Sequence, residues 1–313
     1  MTAGTTGVGI GSGESRAVLR LRGGGLSQWT WRGRRMLEGY GGPGEPDTPP
    51  LSANLVLAPW PNRTRDGVYD FDGRRELEVT EPDKNTAIHG FVSDLEWTVA
   101  ERHPDSVRLS VEPGPQPGWP WPVHLSVLYR VGEDGLEAHA TLRNDGDTDM
   151  PAALGFHLYP SALGADTDTC SLRVPAHRVL PLDGRGLPDG PLQDDRDVLP
   201  DAVTPLAGHV LDHCLRIDDG AQDVPDGAGA RVVLHRPDGA GVALTTSPEL
   251  HWIQVFTPDD STGQPYPGRP GGRAVAVEPM TAPPDALNSG TDLVRLPPGE
   301  ALTCSWRLDV LTP

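Results

Sequence analysis

The sequence predicts an all-β protein, a large antiparallel β-sandwich of two packed sheets with little helix. Three observations point there. Short period-two or continuous apolar stretches recur along the whole chain. Glycine (38) and proline (34) together make about 23% of the 313 residues and fall between those stretches as turn punctuation. No segment combines a helical apolar stripe of several turns with capping residues.

Taken in chain order, strands are expected at residues 17–22, 26–32, 76–80, 95–100, 107–112, 123–131, 136–142, 231–235, 242–246, 250–257, 273–278 and 301–310. In Val107-Arg108-Leu109-Ser110-Val111 and in residues 124–130 the alternation implies one wet and one buried face. Asp66-Gly67 suggests a hairpin turn into residues 68–71. Residues 181–230 and 258–272, rich in Pro, Gly and Asp, read as loops. Strand density is similar on both sides of each, so a single domain spanning residues 1–313 is expected.

Composition excludes several functions. With 26 basic against 44 acidic side chains the formal charge is −18, which repels nucleic acid and anionic membranes. No apolar run approaches the roughly 20 residues a membrane helix needs. Residues 1–16 lack the basic start and apolar block of a signal peptide, and Cys170, Cys214 and Cys304 cannot all pair; a cytoplasmic location is expected. The chain has one lysine, Lys84, in a polar turn, and no P-loop, Cys-x-x-Cys, His-Glu-x-x-His or Gly-x-Ser-x-Gly motif. Gly39–Gly44 matches Gly-x-Gly-x-x-Gly, but prolines follow it where a helix should open, so it is read as a turn.

Six places carry chemistry-bearing side chains. Asn62-Arg63-Thr64-Arg65-Asp66-Gly67 offers an amide and a guanidinium beside Trp60, able to fork onto vicinal hydroxyls, although a solvated charged turn fits the same letters. His89 sits between Ile88 and Gly90, a setting more common for a structural histidine. His157 lies in the apolar run 152–159, where structural and titrating roles stand level. Asp212 precedes His213, but neighbours in a strand face opposite ways and would not touch. Glu278 follows the apolar Ala274-Val275-Ala276-Val277 and precedes Pro279, which would place a carboxylate at the mouth of a buried strand with its pKa raised toward that of a general base. Gln254 interrupts the apolar strand 252–256 with one amide.

In this order the segments resemble the aldose 1-epimerase (galactose mutarotase) family. The matching pieces are residues 62–67, Ile88-His89-Gly90, Gly155-Phe156-His157-x-Tyr159, Leu211-Asp212-His213, Gln254, and Val277-Glu278-Pro279-Met280-Thr281 continuing to Pro284-Asp285-Ala286-x-Asn288-Ser289-Gly290. The resemblance implies the mutarotase-like supersandwich fold and interconversion of the α and β anomers of a free hexose, with no cofactor and no metal. It implies Glu278 as general base and His157 as general acid, with His89, Arg63, Asn62, Asp212 and Gln254 holding the sugar. Leu158 and Pro160 depart from the family's usual Pro and aromatic after the histidine. The expected partner is a small sugar, glucose or galactose, without nucleic acid or membrane, and the protein is expected to be a monomer or homodimer. The chemistry requires Glu278 ionised and His157 protonated at neutral pH, and hence a bell-shaped pH profile. A hexose-6-phosphate epimerase, with Arg34-Arg35 or Arg74-Arg75 as the phosphate cluster, remains an alternative. So does a catalytically silent sugar-binding protein, with Trp60, Trp119, Trp121 or Trp252 stacking on the ring. A glycoside hydrolase would want two catalytic carboxylates and leaves the histidines without roles.

Overall fold

A computed structural model describes residues 7–42, 44–176, 178–194, 203–217 and 231–313. The alternation of residues 123–131 becomes the strand Val123–Val131, with Val123, Leu125, Val127, Tyr129 and Val131 buried and Arg130 exposed. Antiparallel pairing sets Leu125 opposite Leu142 and Val127 opposite Ala140 in the next strand, Gly135–Asn144. These belong to a sheet whose nine described strands run, in spatial order, Thr98–Arg102, Ser106–Val111, Val123–Val131, Gly135–Asn144, Ala301–Leu311, Gly241–Thr246, Arg231–His235, Ser171–Arg173 and Thr204–Pro205.

A second sheet of seven described strands follows the order Gln193–Asp194, Arg178–Leu180, Asp212–Arg216, Trp252–Phe256, Ala276–Met280, Gly155–Phe156 and Val56–Leu57. Its Leu215, Ile253, Val255 and Val277 join the same apolar cluster as Leu136, Trp306 and Leu308 of the first sheet. Phe156 and Trp306 meet edge to face at 5.7 Å across that layer. A smaller antiparallel sheet, Gly7–Ser12, Ser15–Arg20, Leu26–Trp31 and Arg34–Arg35, buries Trp29 against the same core. The all-β sandwich is therefore as expected; the longest α-helix among the described residues is Ala286–Ser289. No helix of the described residues is long and apolar enough to cross a membrane.

Because side chains alternate along a strand, burying Leu215, Ile253, Val255 and Val277 on the core face directs Cys214, Gln254 and Glu278 to the other. Register sets Cys214 beside Gln254 and Gln254 beside Glu278. The polar residues thus form a row on the outer face of an otherwise apolar sheet.

Several expectations are corrected. The strand around Glu278 is Ala276–Met280, so the carboxylate stands mid-strand and not at its mouth. Pro279 is tolerated there because Val277 and Thr281 donate to Leu158 and Leu154 on one side, and by parity the missing N–H of Pro279 falls between them, where pairing is reduced to Gly155 with Met280. The stretch 181–230 is not all loop. It contributes Asp212–Arg216 to the second sheet, while residues 195–202 and 218–230 of it lie outside the described residues. Asp66 and Gly67 do form a turn, with positive φ at both, but the strands on its two sides do not pair with each other: Arg63–Arg65 pairs with Thr86–Ile88, and Val68–Asp70 with Arg74–Glu76. The expected strand at 76–80 is displaced onto Arg74–Glu76 for that reason. Trp60, Trp119 and Trp121 pack on one another and on Phe91, Tyr69 and Phe71 as core.

One glycine places the site. Gly90 has φ +69, and a Cβ there would lie 1.8 Å from the Ala58 carbonyl oxygen, which is backbone and cannot yield. Gly90→Ala is expected to cost about 2–4 kcal/mol, seen as a lower melting temperature, and to displace the adjoining His89.

Candidate active site

The Arg63–Arg65 and Thr86–Ile88 strands bring Asn62 and His89 together just beyond their ends. Both hold positive φ, 55° and 65°, and they lock each other: the His89 N–H donates to the Asn62 carbonyl at 2.9 Å, and the Asn62 N–H donates to His89 Nδ1 at 3.1 Å. A ring whose Nδ1 accepts carries its proton on Nε2 when neutral. Burial, then the neighbouring His157 and Arg63, hold the His89 pKa well below the usual histidine range. His89 is therefore a neutral donor.

His157 follows the short strand Gly155–Phe156. Its N–H donates to the Leu55 carbonyl at 3.0 Å, and its carbonyl accepts from the Asn54 N–H at 2.8 Å. Tyr159 stacks on its ring at 5.3 Å, and Tyr266 packs behind Tyr159. From the facing strand, Glu278 Oε1 lies 3.3 Å from His157 Nε2, with both side chains almost wholly buried. The second oxygen, Glu278 Oε2, and His157 Nδ1 have no hydrogen-bond partner. Unsatisfied atoms of this kind in a buried pair are costly unless something else completes them.

Burial, reinforced by the negative charge of Asp212 and opposed by Arg63, pushes the Glu278 carboxyl up to about 8. Burial pulls His157 down to about 3. Both partners thus favour their neutral forms, the reverse of the ionised carboxylate and imidazolium expected from sequence. The two descriptions differ only in where one proton sits across the 3.3 Å between His157 Nε2 and Glu278 Oε1, because a neutral pair and a charged pair hold the same number of protons.

The remaining residues complete one cleft. Gln254 Nε2 donates to Asp212 Oδ1 at 2.7 Å, and Asn62 Nδ2 reaches Gln254 Oε1 at 3.5 Å. The Asp212 carboxylate turns to Gln254, while His213, expected not to touch its neighbour, accepts at Nδ1 from the Asp212 backbone N–H at 3.1 Å. Arg63 donates through Nε and Nη2 to both oxygens of Glu81, at 2.7 and 2.9 Å. All seven residues singled out in the sequence, Asn62, Arg63, His89, His157, Asp212, Gln254 and Glu278, line this cleft of about 220 Å³, below the roughly 300–1,000 Å³ typical of drug-sized pockets. Leu51, Ser52, Thr80, Glu81, Phe256 and Gln264 line it too and carried no signal in the sequence, as do Lys84, read there only as a turn residue, and Ile88 of the Ile88-His89-Gly90 piece. Glu81 matters most among these: it holds Arg63 and also accepts from Thr86 Oγ1 at 2.7 Å. Glu81→Gln is expected to free the guanidinium and raise KM about tenfold, a loss of ~1.4 kcal/mol, with a smaller change in kcat.

The stretch 284–290, the longest piece of the resemblance, lies behind the cleft. The Asp285 N–H donates to the Arg63 carbonyl at 2.7 Å, and Asp285 Oδ1 accepts from the Arg65 N–H at 2.9 Å and from Asn288 at 2.8 Å. It clamps the strand that presents Asn62 and Arg63.

His89, His157 and Glu278 offer ligand atoms all within 4.8 Å of one another. A divalent cation does not fit that set: His89 accepts at Nδ1 and so presents Nε2–H, a donor where a metal needs a lone pair.

A family model described as Aldose 1-epimerase matches residues 8–308. The chain belongs to the aldose 1-epimerase family. It is 27% identical over 297 residues to an uncharacterized protein of Escherichia coli, YihR, covering 94% of this chain and 89% of that one. Among solved structures it is similar to a galactose mutarotase-like protein from Clostridium acetobutylicum, with TM-score 0.81 at 17% identity over 96% of this chain and 93% of that one. It is also similar to an aldose epimerase homologue from C. elegans, with TM-score 0.80 at 20% identity over 98% and 99%. At such identities the likeness fixes the mutarotase-like fold of this aldose epimerase family member. The division of labour within the cleft has to come from its own geometry.

Proposed function

We propose that this protein is an aldose 1-epimerase that interconverts the α and β anomers of a free hexose. The single observation that carries the proposal is the buried His157–Glu278 pair, 3.3 Å apart, in a cleft whose wall also includes Asn62, Arg63, His89, Asp212 and Gln254, groups able to hold hydroxyls. Mutarotation needs one group to take the O1 proton and another to protonate the ring oxygen. The C1–O5 bond then opens, C1 turns about the C1–C2 bond, and the ring recloses from its other face. Glu278 takes the O1 proton as carboxylate; His157 supplies the proton to O5 as imidazolium. The shift from neutral to charged pair occurs when a bound sugar places its hydroxyls against the unpartnered Glu278 Oε2. Arg63 already acts electrostatically in that direction on Glu278. His89 donates from Nε2 to a ring or hydroxyl oxygen, while Asn62, Asp212 and Gln254 fix the hydroxyls.

Other readings find less support. Arg35 is bound to Glu38 and Glu45, Arg34 to the Leu163 carbonyl and Arg74 to Glu76, and none lines the cleft. The Arg63 fork is occupied by Glu81, leaving a phosphate no bidentate partner. The four tryptophans suggested for stacking are buried and absent from the cleft wall, which removes the platform of a purely binding site.

Polarimetry on freshly dissolved α-glucose and α-galactose tests the proposal. The protein is expected to speed the approach to the anomeric equilibrium without shifting it. The pair works with one shared proton, so kcat/KM is expected to hold from pH 5 to 7 and fall above about pH 8, where Glu278 releases that proton. An unchanged rate constant with saturating protein would refute the assignment.

A further inference from the structure

Lys84, the only lysine in the sequence, lines the same cleft as His157 and Glu278. Its Nζ is 3.8 Å from Glu81 Oε1, the oxygen that accepts from Arg63 Nη2 at 2.9 Å. The amine is therefore one carboxylate away from the guanidinium at the sugar site. Its backbone is fixed: Lys84 closes the turn Pro82–Lys84, its N–H donates to the Glu81 carbonyl at 3.2 Å, and its own carbonyl accepts from Arg185 Nε at 2.8 Å. The side chain keeps 28% exposure, so the amine is reachable from the cleft.

Epimerisation by ring opening frees an aldehyde at C1 in this cleft on every turnover, whereas free hexose in water is almost wholly cyclic. We propose that Lys84 is a modification site that captures open-chain aldoses generated beside it; this rests on the epimerase reading above. The neutral amine adds to C1, forming the N–C1 bond as the carbonyl π pair moves to oxygen and takes a proton. One nitrogen proton leaves as the carbinolamine forms; its hydroxyl then departs as water after taking a proton from solvent, the second nitrogen proton returns to solvent, and a C=N bond remains. No oxidant or reductant is involved, and hydrolysis reverses the step. Proximity gives the amine a local aldehyde concentration that bulk solution does not supply.

Reductive trapping tests this. Wild-type protein, Glu278→Gln and Lys84→Arg are incubated with galactose and cyanoborohydride, which delivers hydride to the imine carbon and fixes a secondary amine. Adducts are located by peptide mass mapping, and mutarotation is followed in parallel. The expected result is an adduct on Lys84 that accumulates at least about tenfold faster in wild type than in Glu278→Gln, and that is lost in Lys84→Arg. Glyceraldehyde, an aldehyde that needs no ring opening, is expected to label Lys84 equally in wild type and Glu278→Gln, which shows that the variant's cleft is intact. Accelerated mutarotation with no galactose adduct on Lys84 would overturn this proposal alone. Equal galactose labelling of wild type and Glu278→Gln would also overturn it, since capture would then be from solution. An absence of mutarotation would remove the epimerase reading and this proposal together.

Discussion

Glu278→Gln is expected to lower kcat/KM for mutarotation by about 10²–10⁴-fold and, at alkaline pH, to raise the melting temperature. The substitution keeps size and hydrogen-bonding capacity but removes the proton acceptor. The stability effect follows from the direction of the pKa shift. A carboxyl raised from the usual range to about 8 in the folded state contributes stability that is fully present below its unfolded value, near 4.5, and lost as pH rises through 8. Above that pH the wild type holds a carboxylate in an apolar wall, while glutamine remains neutral. A gain on the order of 1–3 kcal/mol at pH 9 is expected, shrinking toward zero below pH 5, and thermal melts of both proteins at the two pH values measure it. A variant that is inactive and yet more stable at high pH is hard to explain unless Glu278 is kept for chemistry. Loss of activity with a lower melting temperature at every pH would instead mark it as a structural residue.

How far the sequence specified this cleft can be judged residue by residue. Strand content was legible because alternation has a physical cause, and residues 123–131 and 231–235 show it with their bounds unchanged. Gln254 was legible for the same reason, as an amide breaking an apolar strand. Its place beside Glu278 was not, because cross-strand register depends on pairing between segments more than 20 residues apart. Asp212 fell within the stretch 181–230 that was read as loop. Its strand, Asp212–Arg216, is five residues long and lies between proline- and glycine-rich stretches, so local composition outweighed tertiary pairing. Glu81 carried no signal at all: its role exists only because a turn folds back onto Arg63. The direction of the Glu278 shift was legible from its apolar neighbours; the lowering of His157 was not, because its burial depends on what other sheet elements cover. What chain order could convey was the set of chemically able side chains, and all seven of those meet in one cavity.

His157→Asn is expected to lower kcat/KM by a similar factor, about 10²–10⁴, with a stability signature opposite to that of Glu278→Gln. A histidine pulled from 6.5 down to about 3 by burial contributes stability that is present above 6.5 and lost as pH falls toward 3, because the unfolded chain binds the proton first. Asparagine has no such proton to bind, so the variant's melting temperature should fall less steeply than wild type between pH 6 and pH 4. Combining the two substitutions gives the sharper test. If each side chain handled an independent proton transfer, the rate losses would multiply. On the proposed mechanism the pair, 3.3 Å apart, works with one shared proton, so removing either partner would disable the relay, and the double variant should be little slower than the worse single one. Multiplied losses would mean that His157 and Glu278 act separately on the sugar, and the shared-proton account of the pH profile would have to be abandoned.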